Sequence, residues 1–294
     1  MPQVTPETQL ASEDRLWEGL SLPTLGEEEL ATQQAETGDR VHLNRGVWWN
    51  EIKPFFSMPC DIFSRRDRRE SWPRRTHALA GYMHLSVPNS PTNSIYRAIV
   101  RIDVDRYSIR NLSRNRRRNV SQGLSDLEVR PIELLEDLIV DGYEVYVSWH
   151  RRVQWGTDKT DRARFEAWMS RVFRQSNQII LGAYRDNKLV AFMLPRVVGT
   201  SACPCFVASH ADFLDSNPND ALFHAFLCIA RQTKGVQTAN LGPLCNKSSL
   251  NQFKLHYGNV KSFPSYLWIN PMIRPVVFPW IRRRYPWLGL PSAA

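Results

Sequence analysis

The arginines around residue 115 are the side chains whose type and spacing could most directly do chemistry. Arg110, Arg114 and Arg117 or Arg118 recur three or four residues apart, which places their guanidinium groups along one face of a helix. A guanidinium binds phosphate through a planar fork of N–H donors, so this face could hold a phosphate-bearing ligand. A structural helix whose arginines form salt bridges is the alternative.

Charge is distributed unevenly along the 294 residues. The net charge is +9, but residues 1–40 contain nine acidic side chains against Arg15 and Arg40, so the remainder carries +16. Six arginines lie in residues 65–75 alone, where Pro73 prevents a regular helix. This distribution predicts either an anionic partner or substrate, or a solvated basic surface.

The cysteines indicate neither a disulfide framework nor a metal centre. They are odd in number and scattered, at Cys60, Cys203, Cys205, Cys228 and Cys245. Cys203 and Cys205 are one residue apart, but no second Cys or His pair at ligand spacing follows to complete a zinc site. We therefore expect reduced structural thiols and no metal.

Length and composition predict a protein with a sizeable core, since 43% of the residues are hydrophobic. No run of eighteen apolar residues is present, and the first residues lack a basic region followed by an apolar one. We expect a cytoplasmic location.

Changes in composition divide the chain into four predicted segments. Residues 1–40 are expected to form an acidic, flexible segment outside the core, with one short helix near residues 16–20. Residues 41–105 are predicted to form a strand-rich lobe, residues 106–272 the main domain, and residues 273–294 a basic, aromatic tail.

Local patterns predict most elements of the main domain and of the stretch before it. Residues 77–87 and 94–104 are predicted as a strand pair, because the turn between them is rich in Pro and Asn. Helical periodicity predicts one long helix over residues 133–152 and another over residues 163–173. Apolar runs on both sides of Asp186-Asn187 predict a β-hairpin.

Further elements follow toward the carboxyl end. Residues 201–210 are predicted as a strand, and Asn217, Pro218 and Asp220 supply the start signals of a helix that ends near Gly235. A strand, a short helix and a last strand complete the order. The sequence thus predicts a mixed α/β (α+β) fold with a mostly antiparallel central sheet flanked by helices.

This order of elements resembles the GNAT-like N-acyltransferase superfamily, in its FemAB-like branch of aminoacyl and acyl transferases. The likeness covers roughly residues 100–270 and includes LSRNRRRNV, ILGAYRDNKLVAFML, the helix after Asn217 and, above all, SLNQFKLHYGN. A short helix that contains Phe-Lys and is followed by Gly, set between the last strands, recurs in FemAB-like proteins.

The resemblance implies an enzyme that moves an acyl or aminoacyl group directly from acyl-CoA or aminoacyl-tRNA to an amine acceptor, a small molecule or a nucleotide-linked amine, without a permanently bound cofactor. The oxyanion of such a reaction is often met by a backbone N–H where two neighbouring strands diverge. By this resemblance, the diverging strands are residues 206–210 and 239–244.

The same resemblance assigns the site residues. The catalytic candidates are His210, as a general base or else an N-capping histidine, and Lys254 and Tyr257 from the Phe-Lys helix. The binding candidates are Arg114, Arg116, Arg117, Arg118, Ser209, Asn240 and Gly242. Gly242 would allow a ligand to approach the backbone, although a strand-ending turn explains it equally well.

One departure from the superfamily argues against ordinary CoA binding. Acyl-CoA enzymes bind the pyrophosphate with a Gly-rich turn before a helix, whereas residues 210–220 contain no glycine and carry Asp212 and Asp215.

Three other interpretations stay open. The basic body and the ten tryptophans also suit a non-catalytic nucleic-acid-binding protein, and an inactive relative of the transferases would keep the same pattern. Aromatic residues flank Arg282, Arg283 and Arg284 in the tail, which suits peripheral contact with an anionic membrane or a packed extension.

Overall fold

The computed structural model describes residues 16–153, 160–175, 178–276 and 278–279. Contacts between residues group the chain into two compact units. Among the described residues, unit 1 contains those up to Thr24 together with those of Ile102–Asn240, and unit 2 contains Leu25–Arg101 and those from Leu241 onward. The division into four segments stays a prediction from the sequence.

The strands of the described residues are β1 (Thr24–Leu25), β2 (Val41–Asn44), β3 (Val47–Lys53), β4 (Phe56–Pro59), β5 (Arg65–Arg66), β6 (Gly81–Ser86), β7 (Ser94–Ile102), β8 (Glu128–Pro131), β9 (Leu181–Arg185), β10 (Lys188–Val198), β11 (Ser201–Ser209), β12 (Thr238–Pro243) and β13 (Asn259–Ile269). The α-helices are α1 (Glu27–Glu36), α2 (Arg114–Asp126), α3 (Leu135–Ile139), α4 (Asp141–Val153), α5 (Arg162–Arg174), α6 (Pro218–Gln232) and α7 (Ser248–Leu255).

Unit 1 is built on a sheet whose strands lie in the order β12-β11-β10-β9-β8. Every neighbouring pair in this sheet is antiparallel except β11 and β12, which are parallel. The predicted hairpin between β9 and β10 is confirmed. Asp186 and Asn187 form its turn with φ angles of 51° and 62°, which two-residue hairpin turns require and these residue types tolerate.

Helices cover the sheet of unit 1 with apolar side chains. Residues Ala221–Ala230 of α6 are all buried, and this helix packs against α2 and against β9, β10 and β11. Another apolar cluster joins α4 and α5 to β11, where the ring of Phe206 lies 5.0 Å from Trp149 and 5.2 Å from Trp168 between centroids. These contacts fix the position of β11 in unit 1.

The strands of unit 2 lie in the order β2-β3-β4-β6-β13-β7, with β5 beside β6. The predicted pairing of β6 with β7 is wrong, because β13 lies between them and pairs antiparallel with both. Turn residues between two consecutive strands show that the chain reverses. They do not show that a strand from far along the sequence enters between the two.

The predicted long helix over residues 133–152 is two helices, α3 and α4, which meet at Val140. Contacts with the sheet explain the break. The carboxylate of Asp137 accepts from Tyr184 Oη at 2.9 Å, and that of Asp141 accepts from the backbone N–H of Leu189 at 3.1 Å. Each contact ties one side of the junction to the sheet of unit 1.

The expectation that residues before 41 lie outside the core is wrong for the described part of that segment. Residues 16–19 form a turn and not the predicted helix. The side chains of Trp17 and Leu22 in unit 1, and of Leu25 and Leu30 in unit 2, are buried. The sequence did not predict these buried residues, because the segment is rich in acidic side chains and its few apolar residues show no periodicity.

The predicted fold class is confirmed: mixed α/β, with mostly antiparallel strands flanked by helices. None of the helices in the described residues is both long enough and apolar enough to cross a membrane.

Substituting Gly123 by alanine tests the close packing of α2 on α6. A Cβ at Gly123 would lie 2.9 Å from the backbone oxygen of Asn217 and 3.0 Å from Ala221 Cβ. We expect Gly123→Ala to lower the free energy of unfolding by about 1–3 kcal/mol, although alanine favours helices. Chemical denaturation measures this. Ser125→Ala, on an exposed position of α2, is the control, and equal stability of both variants would contradict this packing.

A histidine pair lies in unit 2. The rings of His42 and His77 stack with centroids 4.2 Å apart, and Nδ1 of His77 lies 3.2 Å from the carboxylate of Glu51. His42 is buried, and its Nε2 accepts from the backbone N–H of Arg74 at 3.3 Å. Burial, with the charges of His77 and Arg74, lowers the pKa of His42 from 6.5 to about 4.

Stability is therefore expected to fall as the pH drops from 7 to 5. The pKa of His42 is lower in the folded chain than in the unfolded one, so protonation below pH 6.5 favours unfolding. We expect His42 to contribute about 1–2 kcal/mol to this loss. The measurement is denaturation of wild type and His42→Gln at several pH values. The variant should show a shallower pH dependence of stability than wild type, and an unchanged pH dependence would contradict this role of His42.

Candidate functional site

The parallel pairing of β11 with β12 ends after two residue pairs. Ser201 lies opposite Thr238, and Ala202 lies opposite Ala239. On its other side, β11 stays in register with β10 as far as Ser209, opposite Ala191. Both strands are described throughout, and from Phe206 to Ser209 no residue of β11 has a register partner in β12. The second half of β11 therefore keeps its ladder with β10 and loses its ladder with β12.

A β-bulge interrupts the same half of β11. Leu194 of β10 lies opposite Phe206, but the next residue, Pro195, lies opposite Pro204, so Cys205 is an additional residue. Bulges bend the strand that carries them and are frequent beside functional sites. A backbone N–H of β11 that points away from β10 beyond this bulge could donate to a carbonyl oxygen of a ligand.

Side chains from three elements meet at the end of β11. The buried Oγ of Ser209 accepts from Arg152 Nη2 at 3.1 Å and from Asn219 Nδ2 at 3.2 Å. Arg152 belongs to α4 and Asn219 to the first turn of α6. Desolvation lowers the pKa of Arg152, yet a guanidinium stays charged at neutral pH. Among the described residues no carboxylate pairs with Arg152, so its charge suits an anionic or carbonyl ligand.

His210 directly follows Ser209 and caps the short 3-10 helix Ala211–Ser216. Its Nδ1 accepts from the backbone N–H of Asp212 at 3.3 Å, and its own backbone N–H donates to Val190 at 2.9 Å. An imidazole that accepts through Nδ1 carries its proton on Nε2 when neutral. The histidine is thus an N-cap in this structure, and the role of general base stays a prediction.

The arginines of α2 divide into a structural and an exposed set. Arg116 binds both carboxylate oxygens of Asp220 at 2.7 and 2.9 Å, and both side chains are largely buried. Arg117 donates to the backbone oxygen of Arg110 at 3.0 Å. Arg114 and Arg118 are exposed and four residues apart. Arg116 thus fits the alternative interpretation of a salt-bridged helix, whereas Arg114 and Arg118 are accessible to a ligand.

Two of the predicted residues in unit 2 lie together. A Cβ placed on Gly242 would be 3.2 Å from Lys254 Nζ, so the ammonium packs close to the backbone of β12. Gly242 has a φ of +94°, which favours glycine. Tyr257 is 1% exposed and its ring lies 5.5 Å from Phe253, so it is a core residue of unit 2.

The remaining candidate, Asn240, is a buried residue of β12 in unit 1. The predicted cap at Asn217 differs in detail, because its side chain makes no capping bond and its backbone is left-handed at φ 52°. Arg152 and Asn219 were not predicted. The only feature of the sequence that could have indicated Arg152 was a basic run at the end of a predicted helix. For Asn219 it was an amide side chain in the first turn of a predicted helix. Among the described residues, no group of three His, Cys, Asp or Glu side chains could hold a metal ion.

Solved structures show what this fold is similar to. The C-terminal DUF2156 domain of a protein described as a lysylphosphatidylglycerol synthetase from Agrobacterium fabrum matches with a TM-score of 0.57 at 14% identity, over 96% of this chain and 99% of that one. FemX matches with a TM-score of 0.56 at 11% identity, over 90% and 98%. A conserved protein of unknown function from Bacteroides thetaiotaomicron matches with a TM-score of 0.52 at 12% identity, over 88% and 96%.

No family model matches the sequence, and no curated protein matches it significantly. The structural matches extend over almost the whole length of both chains, but the identities are low. They therefore show the fold, which this chain shares with FemX, as the resemblance to FemAB-like proteins predicted.

Removing the carboxylate of Asp220 tests whether Arg116 is structural. Asp220→Ala removes the carboxylate that binds a largely buried guanidinium, and we expect a loss of about 2–4 kcal/mol in the free energy of unfolding. Asp215→Ala, at an exposed position nearby, should change stability by less than about 0.5 kcal/mol. Denaturant titration of both variants measures the free energy of unfolding. An Asp220→Ala protein as stable as wild type would contradict a structural role and would leave Arg116 available for a ligand.

Proposed function

We propose that this protein is an N-acyltransferase that moves an acyl or aminoacyl group from an activated donor to an amine. The single observation that carries the proposal is the loss of the β12 ladder beyond Ala202, next to the bulge at Cys205. The fold shared with FemX supports it, because that match covers 90% of this chain. One fold hosts many functions, so the function must be inferred from the residues of the site.

In the proposed reaction, the donor carbonyl approaches the second half of β11, where backbone N–H groups stabilise the oxyanion of the tetrahedral intermediate. The amine nitrogen bonds to the carbonyl carbon, and the bond from that carbon to the donor sulfur or oxygen breaks. The leaving group of the donor takes up a proton and departs as a thiol or an alcohol. The amine loses one proton in the same reaction, so the number of protons is conserved. Proximity of the two reactants supplies much of the rate.

We propose His210 as the group that receives the proton from the amine. In the neutral ring Nε2 carries the hydrogen, and the lone pair of Nδ1 accepts from the backbone N–H of Asp212. Taking up a proton at Nδ1, or at Nε2 after the hydrogen has moved to Nδ1, breaks this contact in either case. The base is therefore coupled to the 3-10 helix that follows β11.

An aminoacyl-tRNA is the donor that we favour over acyl-CoA. The helix that follows β11 lacks the Gly-rich turn of CoA enzymes, and Asp212 and Asp215 on the connection are exposed. A polyanion as large as tRNA would instead be held by arginines such as Arg114 and Arg118. One similar structure is described as a lysylphosphatidylglycerol synthetase, and that name specifies a lysyl group.

The experiment that tests the proposal compares donors directly. Purified protein is incubated with a panel of charged tRNAs or acyl-CoAs and a mixture of amines, and the release of free tRNA or free CoA is followed. We expect release to depend on both an amine and a charged tRNA. No release above the protein-free rate with any donor, for a protein shown to be folded, would contradict the transferase.

Arg152→Ala should reduce turnover with little effect on stability. The substitution removes the cation that lies at the end of β11, and we expect kcat/KM to fall about tenfold or more, or about 1.4 kcal/mol. Arg151→Ala, its exposed neighbour on α4, is the matched control and should stay within about twofold of wild type. Equal turnover of the two variants would remove Arg152 from the proposed site.

A second candidate is non-catalytic nucleic-acid binding, and stacking in unit 2 favours it. The guanidinium of Arg45 lies 3.5 Å from the ring centroid of Trp72, and that of Arg68 lies 4.3 Å from Tyr266. RNA affinity that falls steeply with salt, without any acyl transfer, would support this function. The cytoplasmic location and the membrane contact of residues 273–294 stay predictions, and most of that tail lies outside the described residues.

A further inference from the structure

Two cysteines lie at the bulge of β11: Cys205 is the bulge residue itself, and Cys203 lies two residues before it. Cys205 is exposed, and its Sγ lies 3.7 Å from the backbone oxygen of Cys203, which is partly exposed. The five cysteines, all within described stretches, form no disulfide. An exposed thiol in an irregular part of a strand is accessible to reagents in a way that buried thiols such as Cys60 and Cys228 are not.

The surroundings of Cys205 favour its thiolate. The side chain of Cys203 hydrogen-bonds to the Cys205 sulfur, and the positive charge of Arg196, opposite Cys203 on β10, acts in the same direction. These groups lower the pKa of Cys205 from 9.0 to about 7, against a smaller opposing effect of desolvation. Cys60 differs, because it is buried and desolvation raises the pKa of its thiol to about 12.

The spacing of the two residues also allows a bond between their sulfurs. Residues two apart in a regular strand have Cα atoms about 6.6 Å apart, and the bend at the bulge does not lengthen this distance. Disulfides span Cα separations of about 4.4–6.8 Å, so this pair lies within the range, near its upper end. The Sγ of Cys205 donates to the backbone oxygen of Cys203 at 3.7 Å, so this sulfur turns back toward Cys203.

We propose that Cys205 and Cys203 form a reactive dithiol, in which peroxides and other soft electrophiles modify Cys205 and Cys203 resolves the oxidised product. The thiolate of Cys205 attacks one peroxide oxygen, the O–O bond breaks, and hydroxide leaves to take up a proton. The sulfur of Cys203 then attacks the resulting sulfenic acid, its S–O bond breaks, and water leaves. Both thiols lose hydrogen, and the peroxide is reduced to water.

This dithiol does not depend on the transferase proposal. It rests on the bulge, on the exposure of Cys205 and on the contact between the two thiols, all of which stand whatever the protein acts on. A failed donor screen would leave it intact. Failure of the tests below would equally leave the transferase proposal untouched.

The first test is the pH dependence of alkylation. The folded protein is treated with limiting iodoacetamide between pH 5 and 10, and each cysteine is followed by mass spectrometry after digestion. Trypsin combined with an Asp-specific protease yields residues 197–211, a peptide that separates this pair from Cys228. We expect Cys205 to react with a midpoint near pH 7, and about threefold faster at pH 7 than an unstructured cysteine peptide.

Two serine variants complete this test. Cys203→Ser should move the midpoint of Cys205 upward, toward the value of an ordinary thiol, because the thiol that bonds its sulfur is replaced. Cys245→Ser, at another partly exposed cysteine, should leave the midpoint of Cys205 unchanged. A midpoint near 8.5 for Cys205 in wild type would overturn the proposal.

The second test is oxidation with hydrogen peroxide in slight excess. We expect residues 197–211 of wild type to lose two hydrogens and to regain them on reduction with dithiothreitol. In Cys203→Ser we expect Cys205 to carry a sulfenic acid that dimedone traps. Oxidation of wild-type Cys205 directly to sulfinic acid, with no internal disulfide, would show that Cys203 does not resolve it and would contradict the proposal.

Discussion

Backbone N–H and C=O groups inside a sheet must be satisfied by a neighbouring strand, by water or by a ligand, and β11 loses one such neighbour partway along its length. Two residue pairs join it to β12, whereas its antiparallel ladder with β10 continues to Ser209. A strand held firmly on one edge and released on the other offers fixed donors at a fixed place. This combination is what an oxyanion site requires, because its donors must be in place before the charge develops.

Packing around β11 makes that arrangement rigid. Phe206 is held between Trp149 and Trp168, and the buried residues of α6 pack on the same sheet. The salt bridge between Arg116 and Asp220 fixes α2 to the first turn of α6. Arg152 and Asn219 then hold Ser209 from two helices, so the end of the strand is positioned by side chains whose own helices are anchored.

Local signals predicted the parts of the fold that local forces determine. Asp186 and Asn187 adopt left-handed angles that few other residues tolerate, and Pro218 suits the first turn of a helix, so the hairpin and α6 were predictable. The insertion of β13 between β6 and β7 was not, because it joins residues more than a hundred positions apart. The break at Val140 likewise depends on contacts with β9 and β10.

In the site, too, local sequence signals predicted some residues, whereas contacts between distant residues determined the others. The end of β11 was predicted from the order of elements, and Ser209 and His210 lie there. Spacing alone grouped the arginines of α2, but it could not show that Arg116 is paired with Asp220 while Arg114 and Arg118 are exposed. Arg152 was missed because its contact with Ser209 joins residues 57 positions apart.

Residue-resolved amide hydrogen exchange of the ligand-free protein tests the central claim most directly. If β11 is released from β12, protection should alternate between Phe206 and Ser209, with slow exchange for amides bonded to β10 and fast exchange for those that face away. The amides at the paired positions Ser201 and Thr238 provide the internal reference. Uniformly slow exchange across Phe206–Ser209 would mean that a neighbouring strand satisfies both edges, and no donors would be available for an acyl group.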